Sequence, residues 1–246
     1  MIELHHGDCL EEMRKVPKGS VNMVLCDLPY GSTSCAWDVV IPFDELWAAY
    51  EYVLAPGGIV VLFGSQPFTS ALIMSNLKWF RYELIWSKNR CGSPGLAKIR
   101  PMKTHENILV FSPGRSLYNP QMTVGEPYSR KSSRPEGYVG KANNHGYGMK
   151  PRTEFSNEGT RYPQSILNIS RDFSAQQQMH PAQKPVPVLE WLIKTYTDEG
   201  MLVLDNTMGS GSTGVACKRI GRSFIGMEQD KAYYDIAVSR INQQDQ

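Results

Sequence analysis

The segment Asn22-Met23-Val24-Leu25-Cys26-Asp27-Leu28-Pro29-Tyr30 joins a short apolar run to a polar and aromatic ending. Its apolar part is typical of a buried strand in a parallel sheet, because such strands are covered on both faces and lose the alternation of polar and apolar residues. The polar segment Gly31-Ser32-Thr33 follows, so Asp27 lies just past the carboxyl end of the strand. Open α/β sheets bind their ligands at that edge.

The four residues Asp27-Leu28-Pro29-Tyr30 contain groups that suit a planar amine. The Asp27 carboxylate and the Leu28 carbonyl are acceptors for two N–H groups, Pro29 stiffens the turn, and Tyr30 offers a ring for stacking. The same residues also fit an ordinary Asp-x-Pro turn at the end of a strand. Taken alone, they favour that simple turn.

Length and composition bound the class of protein. A chain of 246 residues supports one sizeable domain with room for a small inserted module. The net charge of +2 does not by itself indicate a nucleic-acid-binding protein. The five cysteines are scattered without a C-x-x-C spacing, which argues against a metal site or a disulfide framework and for a reduced cytosol. No apolar run approaches membrane-spanning length, so we expect a soluble cytoplasmic protein.

Strand and helix patterns alternate along most of the chain. Strands are predicted at Ile2–His6, Ile59–Phe63, Tyr82–Trp86, Asn107–Phe111, Met201–Leu204 and Ser223–Met227, and helices at Cys9–Val16, Phe43–Leu54, Pro67–Ser75, Val186–Thr197 and Lys231–Asn242. This alternation predicts an α/β fold with a doubly wound, mostly parallel sheet.

The segment 113–178 has a different composition, rich in Gly, Pro, Ser, Asn and Tyr. It contains nine Lys or Arg residues against five acids, and five tyrosines are interleaved with the basic residues. A disordered loop would have a similar composition. Aromatic and basic groups together also suit a surface that meets phosphates and bases, and we expect such contacts from Arg130, Lys131 and Arg134.

A glycine-rich loop, Asp205 to Gly214, follows a predicted strand and leads into a helix. Gly209, Gly211 and Gly214 fit the dinucleotide fingerprint G-x-G-x-x-G. A phosphate-binding P-loop would need a lysine, which this loop lacks. A nicotinamide dinucleotide site remains open, because Glu228 follows at a distance that suits ribose hydroxyls, although only one strand and one helix come after the loop.

The two motifs together resemble those of amino-group DNA methyltransferases that use S-adenosylmethionine. The order of the Asp27 motif, a polar insertion, His-Pro-Ala-Gln-Lys-Pro (180–185) and the glycine loop is similar to the permuted β-group, the N6-adenine and N4-cytosine DNA methylases. The segments Gly7-Asp8-Cys9-Leu10 and Gly226-Met227-Glu228 resemble the opening and closing motifs of that group.

The resemblance implies a circularly permuted, Rossmann-like methyltransferase sheet. Residues 1–112 would form the catalytic half, 113–178 an inserted target-recognition region, and 179–246 the cofactor-binding half. The strands before Asp8, Asp27, Asp205 and Glu228 would then end at one edge of the sheet.

The resemblance also assigns residues to the cofactor, namely Asp8, Cys9, Lys184, Asp205, Gly209, Gly211 and Glu228. Glu228 would accept hydrogen bonds from the ribose hydroxyls, Asp8 from the adenine amine, and the glycine loop would lie beside the amino-acid part. Lys184 would neutralise the cofactor carboxylate; a solvated lysine at a helix start is the alternative. His180 is expected to be structural.

In the catalytic motif, Asp27 and the Leu28 carbonyl would bond the amine of the target base, and Tyr30 would stack on that base. The family usually has proline at the position of Leu28, but the carbonyl survives that change and Pro29 keeps Leu28 extended. The Asp27 carboxylate is expected to meet only the base. An aspartate at the first position favours adenine in the family, whereas serine is commoner in cytosine enzymes.

The predicted activity is methyl transfer from S-adenosylmethionine to N6 of a flipped-out adenine in duplex DNA, which leaves S-adenosylhomocysteine and needs no metal. Alternatives are transfer to N4 of cytosine, a nicotinamide-dependent oxidoreductase, and a nucleic-acid-binding module with a vestigial cofactor site. Protein-glutamine methyltransferases place the glycine loop before the acceptor motif, unlike this chain. The resemblance leaves open a homodimer and a partner nuclease in a bacterial or phage-encoded restriction–modification system.

Overall fold

The computed structural model of the chain describes residues 1–35, 37–92, 94–131, 154–171, 174 and 178–243. Internal contacts divide the chain into two compact units, one formed by Met1–Asn119 with Gln164–Gln246 and the other by Pro120–Pro163. The strands of the first unit are β1 (Ile2–His6), β2 (Val21–Cys26), β3 (Leu54–Gly64), β4 (Phe80–Gly92), β5 (Lys103–Phe111), β10 (Ile166–Asn168), β11 (Leu202–Asp205) and β12 (Ser223–Glu228). Its helices are α1 (Cys9–Met13), α2 (Phe43–Val53), α3 (Phe68–Ser75), α4 (Val186–Tyr196), α5 (Ser212–Arg219) and α6 (Lys231–Asn242).

In the described part of the first unit, eight strands form one sheet in the order β1-β12-β11-β2-β3-β5-β4-β10. Neighbouring strands are parallel except where β5 pairs with β3 and with β4. The predicted α/β, mostly parallel sheet is therefore confirmed. β1, β12, β11 and β2 are consecutive parallel neighbours, so their carboxyl ends share one edge, as the permuted order requires.

Helices cover both faces of this sheet. One core joins α4, α5 and α6 to residues such as Met23 and Leu25, and the other joins α1, α2 and α3 to residues such as Val24 and Cys26. Successive side chains of β2 thus enter opposite cores, which explains why the strand is apolar from Met23 to Cys26. Within the described part of the chain, none of the helices has the length and apolar character that a membrane crossing requires.

Some element boundaries differ from those predicted. Helix α1 ends at Met13, and two tight turns, Lys15 N to Glu12 O and Val16 N to Met13 O, carry the chain to Pro17, which cannot continue a helix. β4 and β5 are longer than predicted, because their antiparallel pairing continues through polar residues as far as the Gly92–Lys103 pair.

The described residues of the second unit form two short antiparallel pairs: β6 (Thr123–Val124) with β9 (Thr160–Arg161), and β7 (Tyr128–Lys131) with β8 (Glu154–Asn157). The Arg161 guanidinium lies 4.7 Å from the centroid of the Tyr128 ring. Arg130 and Lys131 belong to β7, whereas Arg134 lies outside the described residues. The predicted segment 113–178 extends beyond this unit on both sides.

Candidate active site

A cavity of about 880 Å³ opens at the edge where β1, β12, β11 and β2 end. This volume lies in the range of small-molecule and cofactor sites. The lining includes Gly7–Leu10, Leu25–Tyr30, His180–Lys184, Asp205–Ser210 and Glu228–Asp230. The fold therefore brings together all predicted catalytic and cofactor residues except Gly211, which is the N-cap of α5 and does not line the cavity.

The Asp27 carboxylate accepts two hydrogen bonds from within the protein. The Tyr30 hydroxyl donates to Oδ1 at 2.5 Å, and Lys184 Nζ donates to Oδ2. The expectation that this carboxylate meets only the target base is therefore wrong. The physical reason is burial: the side chain is only 16% exposed, and a carboxylate removed from water needs partners.

Lys184 belongs to a chain of alternating charges. Its Nζ lies 3.4 Å from Glu106 Oε2, and Glu106 Oε1 in turn accepts a hydrogen bond from Lys88. The interpretation of Lys184 as a solvated lysine is wrong, because the residue is buried. The four charges sum to zero, so each buried ion has a counter-ion. We call Asp27, Lys184, Glu106 and Lys88 the charge chain.

Burial and pairing set the pKa values in this chain. Burial raises the pKa of Asp27, and Lys184 offsets this only in part. Burial also acts to raise the pKa of Glu106, but Lys184 and Lys88 outweigh this effect and lower the pKa to about 2. Burial acts to lower the pKa of Lys184, but the carboxylates of Asp27 and Glu106 outweigh this effect and raise the pKa. Lys184 therefore stays charged, and Asp27 is the carboxylate that protonates more readily.

The loop after the catalytic motif is held by Asp38, which is buried. Asp38 Oδ1 accepts from the backbone N–H groups of Tyr30 and Gly31 at 2.7 and 2.8 Å, and Oδ2 from those of Ser32 and Thr33 at 2.9 and 2.6 Å. Successive N–H groups that converge in this way form an anion-binding nest. Burial acts to raise the pKa of Asp38, but the Thr33 hydroxyl and the N–H groups lower it overall.

The position of the Tyr30 ring is fixed as well. The ring stacks on Phe68 with 4.9 Å between centroids and 28° between the planes. Since the hydroxyl also bonds Asp27, both ends of the side chain are anchored.

The glycine loop between β11 and α5 is tied down by two carboxylates. Glu228 Oε2 accepts from Gly209 N at 2.9 Å, and Asp205 Oδ2 accepts from the Thr213 hydroxyl at 2.6 Å. Burial raises the pKa of both carboxyls, that of Asp205 to about 7. The loop also reaches the catalytic motif, because the Thr207 hydroxyl donates to the Asp27 carbonyl at 3.2 Å.

Two glycines of the loop need their special backbone freedom. Gly209 and Gly211 have φ of 52° and 80°, in the left-handed region. A Cβ at Gly211 would lie 2.9 Å from the Cβ of Ala237 in α6. A Cβ at Gly209 would lie 3.5 Å from the His180 ring, in the wall of the cavity.

Asp8 and His180 have local roles next to the cavity. Asp8 is the N-cap of α1, and its Oδ1 accepts from Leu10 N at 2.9 Å and from Glu11 N at 3.2 Å. The His180 ring packs edge-on against Tyr233 at 4.2 Å, and its Nδ1 accepts from Ala182 N. Burial and then Lys184 lower the pKa of His180 to about 4, so the ring is neutral at neutral pH. These contacts agree with a structural histidine.

The structure adds residues that sequence reasoning missed. Glu106 and Lys88 complete the charge chain, Asp38 holds the loop, and the Asn206 Oδ1 atom accepts from the Tyr50 hydroxyl at 2.7 Å and from the Cys26 thiol at 2.8 Å. The only sequence signal for Glu106 was a carboxylate directly before a predicted buried strand. Among the described residues, no three His, Cys, Asp or Glu side chains are grouped so as to hold a metal ion.

Solved structures share this fold. The M1.HpyAVI–SAM complex has a TM-score of 0.67 at 22% identity and covers 99% of this chain and 100% of the other. PvuII DNA methyltransferase (cytosine-N4-specific) has a TM-score of 0.65 at 18% identity, and the match covers 99% of this chain and 87% of the PvuII chain. At these identities the likeness supports the fold alone.

Sequence comparison identifies the family. The Type II methyltransferase M2.LlaDCHI of Lactococcus lactis subsp. cremoris is 28% identical over 266 residues, covering 97% of this chain and 88% of the relative. The model of the N6/N4 methyltransferase family, described as DNA methylase, matches residues 21–239, which is most of the chain. The chain therefore belongs to the N6/N4 family of DNA methylases.

Proposed function

We propose that this DNA methylase transfers a methyl group from S-adenosylmethionine to the exocyclic N6 amine of an adenine in duplex DNA. The observation that carries the proposal is that Asp27 and Glu228 line the same cavity. A single cavity of this volume can take the methyl donor and a flipped-out base together.

The residues present fit the methyl donor of this family. S-adenosylmethionine, when bound, supplies a methyl group already activated on a sulfonium. Glu228 is fixed by backbone N–H groups and is suited to accept from ribose hydroxyls. Gly209 leaves room in the cavity wall that a side chain would fill. Asp8 uses Oδ1 as a helix cap, so an adenine amine would be accepted by Oδ2.

Asp27 and the Leu28 carbonyl would receive the target amine. An ionised carboxylate has about four acceptor positions, so Asp27 can accept an amine N–H while it keeps its bonds to Tyr30 and Lys184. Two acceptors on the amine hydrogens draw the nitrogen toward a tetrahedral geometry and free its lone pair. The nitrogen loses a proton after methylation, and the Asp27 carboxylate is the group positioned to receive it. Its raised pKa suits that step.

Adenine is proposed over cytosine because an aspartate occupies the first motif position. The N4 amine of cytosine is the second candidate, since PvuII DNA methyltransferase, which shares the fold, is cytosine-N4-specific. Membership of the DNA methylase family argues against a nicotinamide-dependent oxidoreductase.

Target recognition is proposed for segment 113–178, with Arg130, Lys131 and Arg134 as phosphate contacts. The segment has an excess of four positive charges, which favours a polyanionic partner. A homodimer, a partner nuclease and a cytoplasmic location within a restriction–modification system stay predictions.

The test is a product analysis. Purified protein and S-adenosylmethionine are incubated with unmethylated duplex DNA, and the DNA is digested to nucleosides for mass spectrometry. We expect N6-methyldeoxyadenosine in the wild type and none with Asp27→Ala. N4-methyldeoxycytidine would transfer the assignment to cytosine, and the absence of any methylated nucleoside would contradict the proposed activity.

A further inference from the structure

The hairpin between β4 and β5 carries a concentration of positive charge. Residues 88–105, which we call the β4–β5 tip, contain five Lys or Arg residues and no Asp or Glu: Lys88, Arg90, Lys98, Arg100 and Lys103. The whole chain has a net charge of only +2. The tip lies outside segment 113–178, so the predicted recognition surface does not account for it.

Sheet topology puts this tip at the catalytic edge. β4 is antiparallel to β5, β5 is antiparallel to β3, and β3 is parallel to β2, so β4 ends at the same edge as β2. Asp27 follows β2 at that edge, and Lys88 of β4 lines the same cavity as Asp27. The hairpin pairing continues beyond Lys88 to Gly92 and Lys103, so the tip projects past the cavity.

The outer part of the tip is exposed and has a defined backbone. Lys98 and Arg100 are exposed, and Ile99 between them is 78% exposed. The turn is closed by hydrogen bonds from the N–H groups of Ile99 and Arg100 to the Leu96 carbonyl, at 2.9 and 3.0 Å. The three consecutive side chains thus present two cations and one apolar group to solvent, and a partner that is both anionic and partly apolar would contact all three.

Among the described residues, Lys98 and Arg100 form no ion pair, whereas Lys88 is paired with Glu106. Glu106, the acid next to the tip in sequence, already pairs with Lys88 and Lys184 in the charge chain. Burial lowers the pKa of Lys103, and Lys88 and Arg100 lower it further against the opposing effect of Glu106. Lys88, Arg100 and Lys103 therefore repel one another, and a polyanion beside them would relieve that repulsion.

We propose that the β4–β5 tip binds the DNA duplex beside the target base, with Lys98 and Arg100 on backbone phosphates and Ile99 against the sugars or the opened base stack. This inference rests on the DNA substrate of the proposed function. A base flipped toward Asp27 brings its flanking phosphates to this edge of the sheet. Apolar wedges between base steps are a recurrent device of proteins that distort DNA.

The test compares two double variants that remove the same charge. Lys98→Ala with Arg100→Ala alters the tip. Lys18→Ala with Lys78→Ala is the matched control, because both lysines are exposed and precede β2 and β4, at the opposite edge of the sheet. Binding to a fluorescently labelled, mixed-sequence duplex is measured by anisotropy over a salt series, and S-adenosylmethionine binding by calorimetry.

We expect the tip variant to lower the slope of log affinity against log salt by about 1.8, at about 0.9 per phosphate bound, while the control keeps the wild-type slope. Cofactor affinity should be unchanged in both. Ile99→Ala should weaken duplex binding several-fold without altering the slope, because it removes an apolar side chain and no charge.

A tip variant with the wild-type slope would overturn the proposal, and so would a control variant whose slope fell as much as that of the tip variant. Either result counts against the proposal only when the wild-type protein binds and methylates the duplex. A wild-type protein that did neither would instead contradict the proposed function.

Discussion

Lys184 Nζ donates a hydrogen bond to Asp27 Oδ2, which joins the segment before α4 to the catalytic motif across 157 positions of sequence. Glu106 Oε2 lies 3.4 Å from the same ammonium. The resemblance assigned Lys184 to the cofactor carboxylate. Its two carboxylate partners within the protein favour another role, that of orienting Asp27 and balancing its charge.

Replacing Lys184 by Met tests that role through the pH profile. Burial raises the pKa of Asp27 and Lys184 opposes this, so removing the ammonium should raise the pKa further. The acid limb of kcat/KM should move to higher pH by about 1–3 units, because only the ionised carboxylate accepts the amine. Lys194→Met, on the exposed side of α4, is the control. If S-adenosylmethionine binding became weaker and the acid limb of kcat/KM stayed at the same pH, the result would instead support the binding of the cofactor carboxylate by Lys184.

Replacing Asp38 by Ala should loosen the loop behind Tyr30. Four backbone N–H groups lose their acceptor, so thermal unfolding should register a loss of roughly 1–3 kcal/mol, and kcat/KM should fall. The pKa of Asp38 is lowered in the folded protein, so its stabilisation is present above the unfolded pKa of about 4 and is lost as pH falls further. The difference in free energy of unfolding between the wild type and Asp38→Ala should therefore become smaller at acid pH. Wild-type stability and turnover in this variant would refute the role given to Asp38.

Replacing Glu228 by Ala should weaken S-adenosylmethionine binding by roughly 1–3 kcal/mol, measured by calorimetry. The change removes the proposed ribose acceptor and the acceptor of Gly209 N. Glu228→Gln keeps one carbonyl oxygen and should lose less. Unchanged affinity in both variants would exclude Glu228 from the ribose site.

Replacing Arg130, Lys131 and Arg134 together by Ala should weaken duplex binding and flatten its salt dependence, by about 0.9 in log–log slope for each phosphate that the variant no longer binds. Cofactor binding should remain as in the wild type. An unaltered slope would mean that these three residues do not touch phosphate.

The central sheet and the composition of the cavity could be predicted because strand ends follow a general rule. Asp27, Asp205 and Glu228 each follow or end a buried strand, and parallel strands gather such residues at one edge. The partners of Lys184 could not be predicted, because ion pairs between distant segments leave no periodic pattern in sequence. The nest around Asp38 depends on backbone angles in the loop rather than on residue types, and the length of the β4–β5 hairpin depends on pairing between polar residues.

The central claim is that the Asp27 carboxylate accepts the target amine, and Asp27→Asn tests it with little change of shape. The amide keeps one oxygen acceptor for Tyr30 or Lys184, whereas Asp27→Ala removes one of the two carboxylates that pair with Lys184 and leaves Glu106. Circular dichroism and calorimetry with S-adenosylmethionine should show that Asp27→Asn is folded and binds the cofactor normally. These controls separate a catalytic carboxylate from a structural turn residue.

The decisive measurement is single-turnover methyl transfer to unmethylated duplex DNA by the Asp27→Asn protein, with S-adenosylmethionine saturating. We predict a rate lower than that of the wild type by at least about a hundredfold. The amide does not accept the hydrogen bond from the target amine that the Asp27 carboxylate accepts, and it does not receive the proton. A rate close to that of the wild type would contradict the assignment of Asp27 as the acceptor.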